Sequence, residues 1–267
     1  MSQQQSNILE ILSGLHASAD NIAHFDEDWT QGRSAFGGIA SSFAVTAMRK
    51  LLDTAKPMRS LMVSFIAPIP PGEIAVTAQI LRQGKNVTQM SADVVSGGQV
   101  ALQAMGVFGN PRQGLIVPAQ HDVIFKPREQ GIPFADHSRR LPSFLGYFDG
   151  CWVDGGLPFS GTSKRHLAMW VRHRADLQDF RTEKLVAICD IPPPVVLSYF
   201  DTPPVPASSL TWSLEFLVPP ERVEGDWFYL DYQVESAAEG YTQQSGRIFD
   251  ESGQLCALSR QCMVYFG

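Results

Sequence analysis

Residues 63–72 read VSFIAPIPPG, and residues 214–225 read LEFLVPPERVEG. Each stretch begins as an apolar, alternating segment and ends in prolines followed by a turn. Proline cannot donate to a strand ladder, so both stretches are predicted to be strands that stop at their prolines. The same pattern occurring twice in one chain indicates an internal repeat, and a repeat of this kind decides the fold.

The similarity continues beyond these two stretches. Residues 73–83 (EIAVTAQILRQ) alternate apolar side chains with period two, which is typical of a half-buried strand, and residues 226–236 (DWFYLDYQVES) take the same place in the second copy. The turns and strand ends that then match are Gly84 and Gly240, Gly97-Gly98 and Ser252-Gly253, and Phe108-Gly109 and Phe266-Gly267. Each copy is therefore predicted to contain a meander of about four antiparallel strands.

A helical stretch precedes each meander. Residues 37–52 (GGIASSFAVTAMRKLL) place apolar side chains at helical spacing with small residues between them, which predicts a helix buried on most sides. Residues 183–200 (EKLVAICDIPPPVVLSYF) contain three prolines. Because proline is tolerated only in a first helical turn, this helix is predicted to start near Asp190. Candidate strands at 24–30 and 166–174 complete the two units.

Strand, long buried helix and antiparallel meander together predict the α+β hotdog arrangement, a curved sheet around a central helix. We predict an N-terminal hotdog at residues 1–109 and a C-terminal hotdog at residues 161–267. Residues 110–160 are rich in Pro, Gly and aromatic residues and are predicted to form a covering linker that packs on the domain. Two unrelated α+β domains are the alternative, against which the matched order of turns argues.

Composition excludes several classes of function. The net charge is −6 and no run of Lys or Arg occurs, which disfavours nucleic-acid binding. No apolar stretch approaches the ~20 residues that cross a bilayer, and the N-terminus lacks the basic and apolar regions of a secretion signal. The four cysteines show no CxxC spacing, so reduced thiols and no zinc site are expected. These features predict a cytoplasmic protein.

Familiar catalytic motifs are absent: the sequence contains no GxSxG, P-loop, GxGxxG after a strand or HExxH. Residues 32–38 (GRSAFGG) are glycine-rich and precede the first central helix. Gly37 and Gly38 could present backbone N–H groups to a carbonyl oxygen or phosphate of a substrate. They could equally serve only to let the helix pack closely against the sheet.

Several segments together resemble one family. In the second half these are ICDIPPPVVL (188–197), SSLTWSLEFLVPP (208–220), GYTQQSGRIFDESGQL (240–255) and CALSRQ (256–261); in the first half they are FGGIASSFAVTAM (36–48) and VSFIAPIPPGEIAVTAQILRQGKNV (63–87). Their combination and order resemble the double-hotdog acyl-CoA thioesterase II family, over nearly the whole chain except the linker. The resemblance implies an acyl-CoA substrate. No cofactor and no metal are expected.

The resemblance also implies a catalytic set: an acidic residue at the head of the second central helix, a Ser or Thr on the next strand and a Gln on the last strand. These match Asp190, Ser209 and Gln261, although Ser208 and Thr211 lie close enough to Ser209 for the register to slip. Each residue also has a plainer role open to it. Asp190 could cap a helix, Ser209 could be an ordinary strand hydroxyl, and Gln261 could be a solvated strand residue.

The chemistry of thioester hydrolysis suits these residue types. It requires a nucleophilic water and stabilisation of an oxyanion. A carboxylate can act as general base, while Ser and Gln each offer a donor and an acceptor that can orient the water. Cys189 is a poor nucleophile because the adjacent carboxylate raises a thiol pKa. His166 and His173 are predicted to be structural or exposed.

Two other functions stay open at this point. A hotdog enoyl-CoA hydratase commonly uses an Asp and His pair on a central helix, and neither predicted helix contains a His. A non-catalytic acyl-CoA or acyl-chain binding protein would carry the same fold without activity. Because the catalytic set maps only to the second copy, one active site per chain is predicted. Association into a homodimer or higher homo-oligomer is expected.

Overall fold

A twelve-stranded antiparallel sheet forms the body of the protein. The computed structural model describes residues 6–135 and 141–267. Its helices are α1 (Ile8–Ala17), α2 (Gly37–Lys50) and α3 (Arg181–Cys189). Its strands are β1 (Ile22–Phe25), β2 (Thr30–Gln31), β3 (Ser34–Ala35), β4 (Met58–Phe65), β5 (Gly72–Gln83), β6 (Val87–Ser96), β7 (Gln99–Gly109), β8 (Ile132–Pro133), β9 (Phe148–Gly155), β10 (His166–His173), β11 (Ala207–Phe216), β12 (Phe228–Ala238), β13 (Tyr241–Phe249) and β14 (Leu255–Tyr265).

The order of strands in the sheet displays the repeat. It runs β1-β5-β6-β7-β4-β11-β14-β13-β12-β10, then β9 and β8, while β2 and β3 form a separate hairpin. The second half repeats the first in reverse order, so β4 and β11 are the two equivalent strands that meet at the centre. Their register pairs Leu61 with Leu214 and Val63 with Trp212, all of them buried. The prediction of two α+β units in tandem is confirmed.

Helix α2 is buried along almost its whole length, from Gly38 to Met48, as its pattern of apolar and small residues predicted. It packs against β5, β6 and β7 of its own half and against α3 of the other half. Its serines and threonine are buried as well, and Ser42 Oγ donates to the Gly38 carbonyl one turn earlier at 2.8 Å. Together with the pairing of β4 and β11, the contact between α2 and α3 joins the two halves into one core.

The second central helix differs from its prediction. Helix α3 ends at Cys189, and Asp190 is its C-cap rather than the start of a helix. The three prolines at 192–194 follow the helix, where they prevent it from continuing. A short 3₁₀ turn, Val195–Tyr199, takes up the apolar residues beyond them. The prolines therefore mark an end, because residues 181–189, polar in their first turn and apolar after it, form the helix that precedes them.

The predicted linker is only partly irregular. Strand β9 lies within residues 110–160 and pairs with β10 along its length, so this part of the linker belongs to the sheet. Two glycines and two aspartates in FDGCWVDG hide the alternation that would have indicated a strand. The aromatic side chains do pack on the domain as expected: Phe134, Phe144, Phe148 and Trp152 are buried.

The strand predicted at 24–30 is also revised. The chain forms β1 over Ile22–Phe25 and then turns through a 3₁₀ segment, Glu27–Trp29. The Asp26 side chain accepts the Asp28 N–H at 3.0 Å and so stabilises the bend.

None of the helices in the described part of the chain has the length and hydropathy needed to cross a membrane.

Candidate active site

Asp190 lies where the two central helices meet. As C-cap of α3 it follows the helix directly, and its carboxylate reaches the N-terminus of α2 in the other half of the chain. The Gly38 N–H hydrogen-bonds this carboxylate. Helix α2 has neither a side-chain cap nor an acidic residue in its first turn. Asp190 therefore caps a helix, as one interpretation of the sequence held, but the helix belongs to the first copy.

Glycine is required at both positions that begin α2. A Cβ on Gly37 would lie 2.5 Å from Asp190 Oδ2, and one on Gly38 would lie 2.8 Å from the Ala187 carbonyl oxygen. Both distances are too short for any side chain. Gly37 and Gly38 therefore let α2 approach α3 closely, which was one of their two proposed roles. That approach also places the N-terminus of α2 beside the Asp190 carboxylate.

Gln261 of β14 binds the same carboxylate. Its Nε2 donates to Asp190 Oδ1 at 2.7 Å, and its Oε1 accepts from Gln244 Nε2 at 2.7 Å. Gln244 lies on β13 directly opposite Gln261 and accepts the Val195 N–H at 3.1 Å. Two of the three predicted catalytic residues are therefore in contact, and a third polar residue supports them.

Burial raises the pKa of Asp190 to about 7 from its ordinary value of 3.8. The hydrogen bonds from Gln261 and Gly38 favour the charged form and only partly offset this effect. No cationic side chain is among the causes of the shift. A carboxyl group with a pKa near neutrality can accept and return a proton under ordinary conditions.

Ser209 faces the site because of a β-bulge. The pairing of β11 with β14 shifts between Ser209 and Thr211, so that Ser209 opposes Met263 while Trp212 opposes Gln261. Paired residues point to the same side of a sheet, and Met263, Gln261 and Trp212 are all buried on the inner side. Thr211 pairs with Cys262 on the outer side. The bulge thus selects Ser209 over Thr211.

These residues open onto a large cavity of about 1210 Å³. Asp190, Ser209, Gln261 and Gly37 line it, and no hydrogen bond joins the Ser209 side chain to Asp190 or Gln261. Much of the wall is apolar and comes from three parts of the chain: Phe65 and Ile69 from the first half, Phe134, Phe144 and Trp152 from the segment between the halves, and Ile191 and Met263 from the second half. Such a cavity suits a long apolar group with a reactive centre at Asp190.

Comparison with protein-family models identifies the family to which the chain belongs. Residues 25–109 match the model of the acyl-CoA thioesterase N-terminal domain, and residues 125–265 match that of the C-terminal domain. The chain belongs to the acyl-CoA thioesterase family. It is accordingly a thioester hydrolase, and the expected membership of an acyl-CoA thioesterase family is confirmed.

Solved structures share the fold of this thioesterase at low sequence identity. A hot dog protein of unknown function from Alicyclobacillus acidocaldarius is 19% identical, with a TM-score of 0.84 over 96% of this chain and 98% of that chain. The tesB protein of Mycobacterium avium subspecies paratuberculosis is 16% identical, with 0.77 over 98% and 100%. The acyl-CoA thioesterase II TesB2 of Mycobacterium marinum is 15% identical, with 0.69 over 96% and 98%. No curated protein sequence matches the chain. The double-hotdog fold is confirmed.

Other candidate groups lie away from the site of the thioesterase or are inert. Burial raises the pKa of the Cys189 thiol well above 9, so it stays protonated. His173 is buried, with its Nε2 3.1 Å from the Lys184 carbonyl and its pKa lowered by burial to about 3. His166 pairs with Asp154 near the surface. Within residues 6–135 and 141–267, no group of three His, Cys, Asp or Glu could hold a metal ion.

Gln244 is the polar residue of the site that the sequence did not single out. Its signal was available in the alternation of β13, where Thr242, Gln244 and Gly246 share a face with the apolar Ile248. A buried glutamine on an apolar face requires partners. What the pattern could not supply is the register that sets Gln244 opposite Gln261.

Proposed function

We propose that this thioesterase hydrolyses fatty acyl-CoA to free fatty acid and CoA, with Asp190 as general base. The observation that carries this proposal is the Asp190 carboxylate itself. It lines an apolar cavity, it has a pKa near 7, and its partners are amide and peptide N–H groups rather than a cation. A base in that state is available to a water molecule, whereas one held in an ion pair is not.

In the proposed reaction a water bound between Asp190, Ser209 and Gln261 attacks the thioester carbonyl carbon. Asp190 accepts a proton from this water as the carbon–oxygen bond forms. The tetrahedral intermediate then collapses, the carbon–sulfur bond breaks, and the proton held by Asp190 passes to the departing CoA sulfur. Ser209 and Gln261 act by orienting the water.

The oxyanion requires donors, and the start of α2 is suited to supply one. Gly37 lines the cavity at the first position of a fourteen-residue helix whose own N-cap residue, Phe36, makes no side-chain hydrogen bond. Its N–H belongs to the set that a helix leaves without intrahelical partners, and the helix dipole favours negative charge there. We assign the Gly37 N–H to the carbonyl oxygen of the substrate.

The position of Arg33 also supports a CoA thioester as the substrate. Arg33 is exposed, lies in the hairpin between β2 and β3, and is the only Lys or Arg among the described residues that line the cavity. A guanidinium at a cavity wall suits the phosphates of CoA. Hydratase chemistry has no comparable support, since no histidine of the described chain lines this cavity.

Two further expectations belong to the proposal. Homo-oligomer formation is supported by methionines that remain partly exposed on the outer face of the central strands, namely Met62 at 49% and Met105 at 44%. A cytoplasmic location is supported by the four free cysteines, which suit a reducing compartment. An N-terminal hotdog at residues 1–109, a linker at 110–160 and a C-terminal hotdog at 161–267 remain the proposed division, with β9 of the linker joining the sheet of the C-terminal hotdog.

The decisive experiment is thiol release from acyl-CoAs of several chain lengths. Asp190→Asn is expected to lose about 10²–10⁴ in kcat, the usual contribution of a general base. Asp179→Asn, an exposed carboxylate before α3, is the matched control and should match wild type. Absence of thiol release by wild type at every chain length would exclude acyl-CoA as substrate. Full activity of Asp190→Asn would leave the hydrolase in place and remove the site assignment.

A further inference from the structure

Gln244 is held between a peptide N–H, whose hydrogen-bonding role cannot change, and the side-chain amide of Gln261, which has both a donor end and an acceptor end. Its side chain is 1% exposed, and its oxygen faces the Val195 N–H while its nitrogen faces Gln261. A peptide N–H can only donate, so the Gln244 amide must turn its oxygen toward it as the acceptor. That contact leaves the Gln244 nitrogen to donate, and the donation goes to Gln261 Oε1.

The sequence explains why Val195 supplies this donor. Residues 192–194 are prolines and have no N–H, so Val195 is the first backbone donor after Ile191. The direction of the chain of hydrogen bonds is therefore set by the backbone at one end. At the other end stands the Asp190 carboxylate, which when ionised can only accept.

We infer that Gln244 is a positioning residue that fixes the orientation of the Gln261 side-chain amide, so that its N–H₂ group faces Asp190. This inference rests on the proposed function. If the Gln261 amide were turned about, its oxygen would face the carboxylate oxygen, and two acceptors would meet without a hydrogen between them. Gln244 prevents this by giving Gln261 Oε1 a donor of its own.

The ionisation of Asp190 is coupled to this arrangement, since the Gln261 hydrogen bond favours the carboxylate. The titratable groups close by are the Cys189 thiol beside it and the Tyr232 phenol from β12, which donates to the Cys189 carbonyl. Burial raises the pKa of both well above neutrality, so both remain uncharged. Arg33 and Asp201 line the cavity but are not among the causes of the Asp190 shift.

The test is a double-mutant cycle of Gln244→Met and Gln261→Met, read as kcat/KM against pH with an acyl-CoA substrate. Both changes keep side-chain volume close and remove hydrogen bonding. We expect Gln244→Met to lower kcat/KM about tenfold at pH 7 and to raise the pH midpoint by about half a unit. Gln261→Met should lose about a hundredfold, and the double variant should equal Gln261→Met.

Gln243→Met is the matched control. Gln243 is the neighbour of Gln244 on β13 but lies on the outer face, where the one side-chain hydrogen bond it makes among the described residues is a long one to Cys262 Sγ at 3.9 Å. It should leave both kcat/KM and the midpoint unchanged. If Gln243→Met has no effect, the effect of Gln244→Met comes from the lost contact with Gln261 and not from removing any side-chain amide of β13.

A second variant approaches the chain of hydrogen bonds from its other end. Val195→Pro removes the fixed donor at the first position of a 3₁₀ turn, a position that tolerates proline. It should shift the midpoint in the same direction as Gln244→Met, by less. This variant keeps the inference testable if Gln244→Met does not fold.

The outcomes separate the two proposals. Full activity of Gln261→Met would overturn the site assignment under the proposed function. The positioning role alone would be overturned by a different set of results. In that case Gln261→Met loses activity, the effects of Gln244→Met and Gln261→Met on kcat/KM multiply in the double variant, and the pH midpoint does not move in Gln244→Met or Val195→Pro.

Discussion

The two ends of the α2–α3 pair each hold a buried carboxylate, and the two carboxylates are treated differently. At one end, Glu183 of α3 accepts from Thr46 Oγ1 at 3.1 Å and from Arg49 Nη1 at 2.5 Å, both on α2. At the other end, Asp190 has only amide and peptide N–H partners. Burial raises the pKa of both groups, and only Glu183 has a guanidinium that opposes the shift.

The difference follows from the repeat. Leu51 is the C-cap of α2 and Asp190 is the C-cap of α3, so the equivalent position carries a carboxylate in one copy and an apolar side chain in the other. The end near Glu183 is closed by an ion pair that joins the helices, while the end near Asp190 opens onto the cavity. Glu183, which is paired with a cation, contributes to the contact between the helices. Asp190, which has no cation beside it, remains able to take up and release a proton.

The largest effect is expected on kcat, from a side chain that crowds the end of the helix pair near Asp190. Gly37→Ala would set a Cβ 2.5 Å from Asp190 Oδ2 and 3.1 Å from the Phe65 ring. Since a misplacement of about 1 Å can cost ~10² in rate, kcat should fall about a hundredfold or more. Gly14→Ala in α1, where a Cβ meets nothing within 4 Å, is the control and should keep full activity. Wild-type kcat in Gly37→Ala would contradict the proposed role of this contact.

Breaking the closed end should affect stability instead of chemistry. Glu183→Gln removes the negative charge opposite Arg49. The loss of unfolding free energy should be about 2 kcal/mol, less than for a fully buried pair because the Arg49 side chain is 32% exposed. Urea unfolding measures it, with Glu221→Gln on the surface as control, and kcat/KM should stay near wild type. A large loss of kcat with unchanged stability would reverse the roles assigned to the two ends.

The third effect concerns how the free energy of unfolding depends on the ionisation of Asp190 at the open end. Because the pKa of Asp190 is raised to about 7, the folded protein binds more protons there than the unfolded chain between about pH 4 and pH 7. The contribution of Asp190 to stability therefore falls as pH rises through this window. Asp190→Asn should be more stable than wild type by about 1–3 kcal/mol at pH 8, and the advantage should vanish near pH 4. Unfolding at both pH values checks this, and equal stability at pH 8 would argue against a carboxylate strained by burial.

Much of the architecture could be predicted from the sequence, because it rests on short-range patterns. The alternation of 73–83, the proline exits and the paired turns predicted the meanders, and the spacing in 37–52 predicted α2. The same local reasoning misplaced α3. Prolines 192–194 suit either the first turn of a helix or the residues after its end, and nothing nearby in the sequence decides between them.

The site could be predicted only in part, because its geometry depends on contacts between distant segments. The resemblance to a family indicated Asp190 and Gln261, which are in contact. The role of Ser209 depends on a bulge at residue 210, and the role of Gln244 depends on the register between β13 and β14. Neither feature leaves a local pattern. The same holds for Asp190 acting as a cap for α2, since the helix lies in the other copy.

The joining of α2 and α3 across the two halves has a consequence for how such a chain could evolve. One half brings the glycines and the helix N-terminus, and the other brings the carboxylate and the two glutamines. In a symmetric pair of identical subunits, every position would have to serve both ends of the helix pair at once. Fusion into one chain removes that constraint, so that one end can specialise in cohesion and the other in reactivity, each changing by mutation without altering its counterpart.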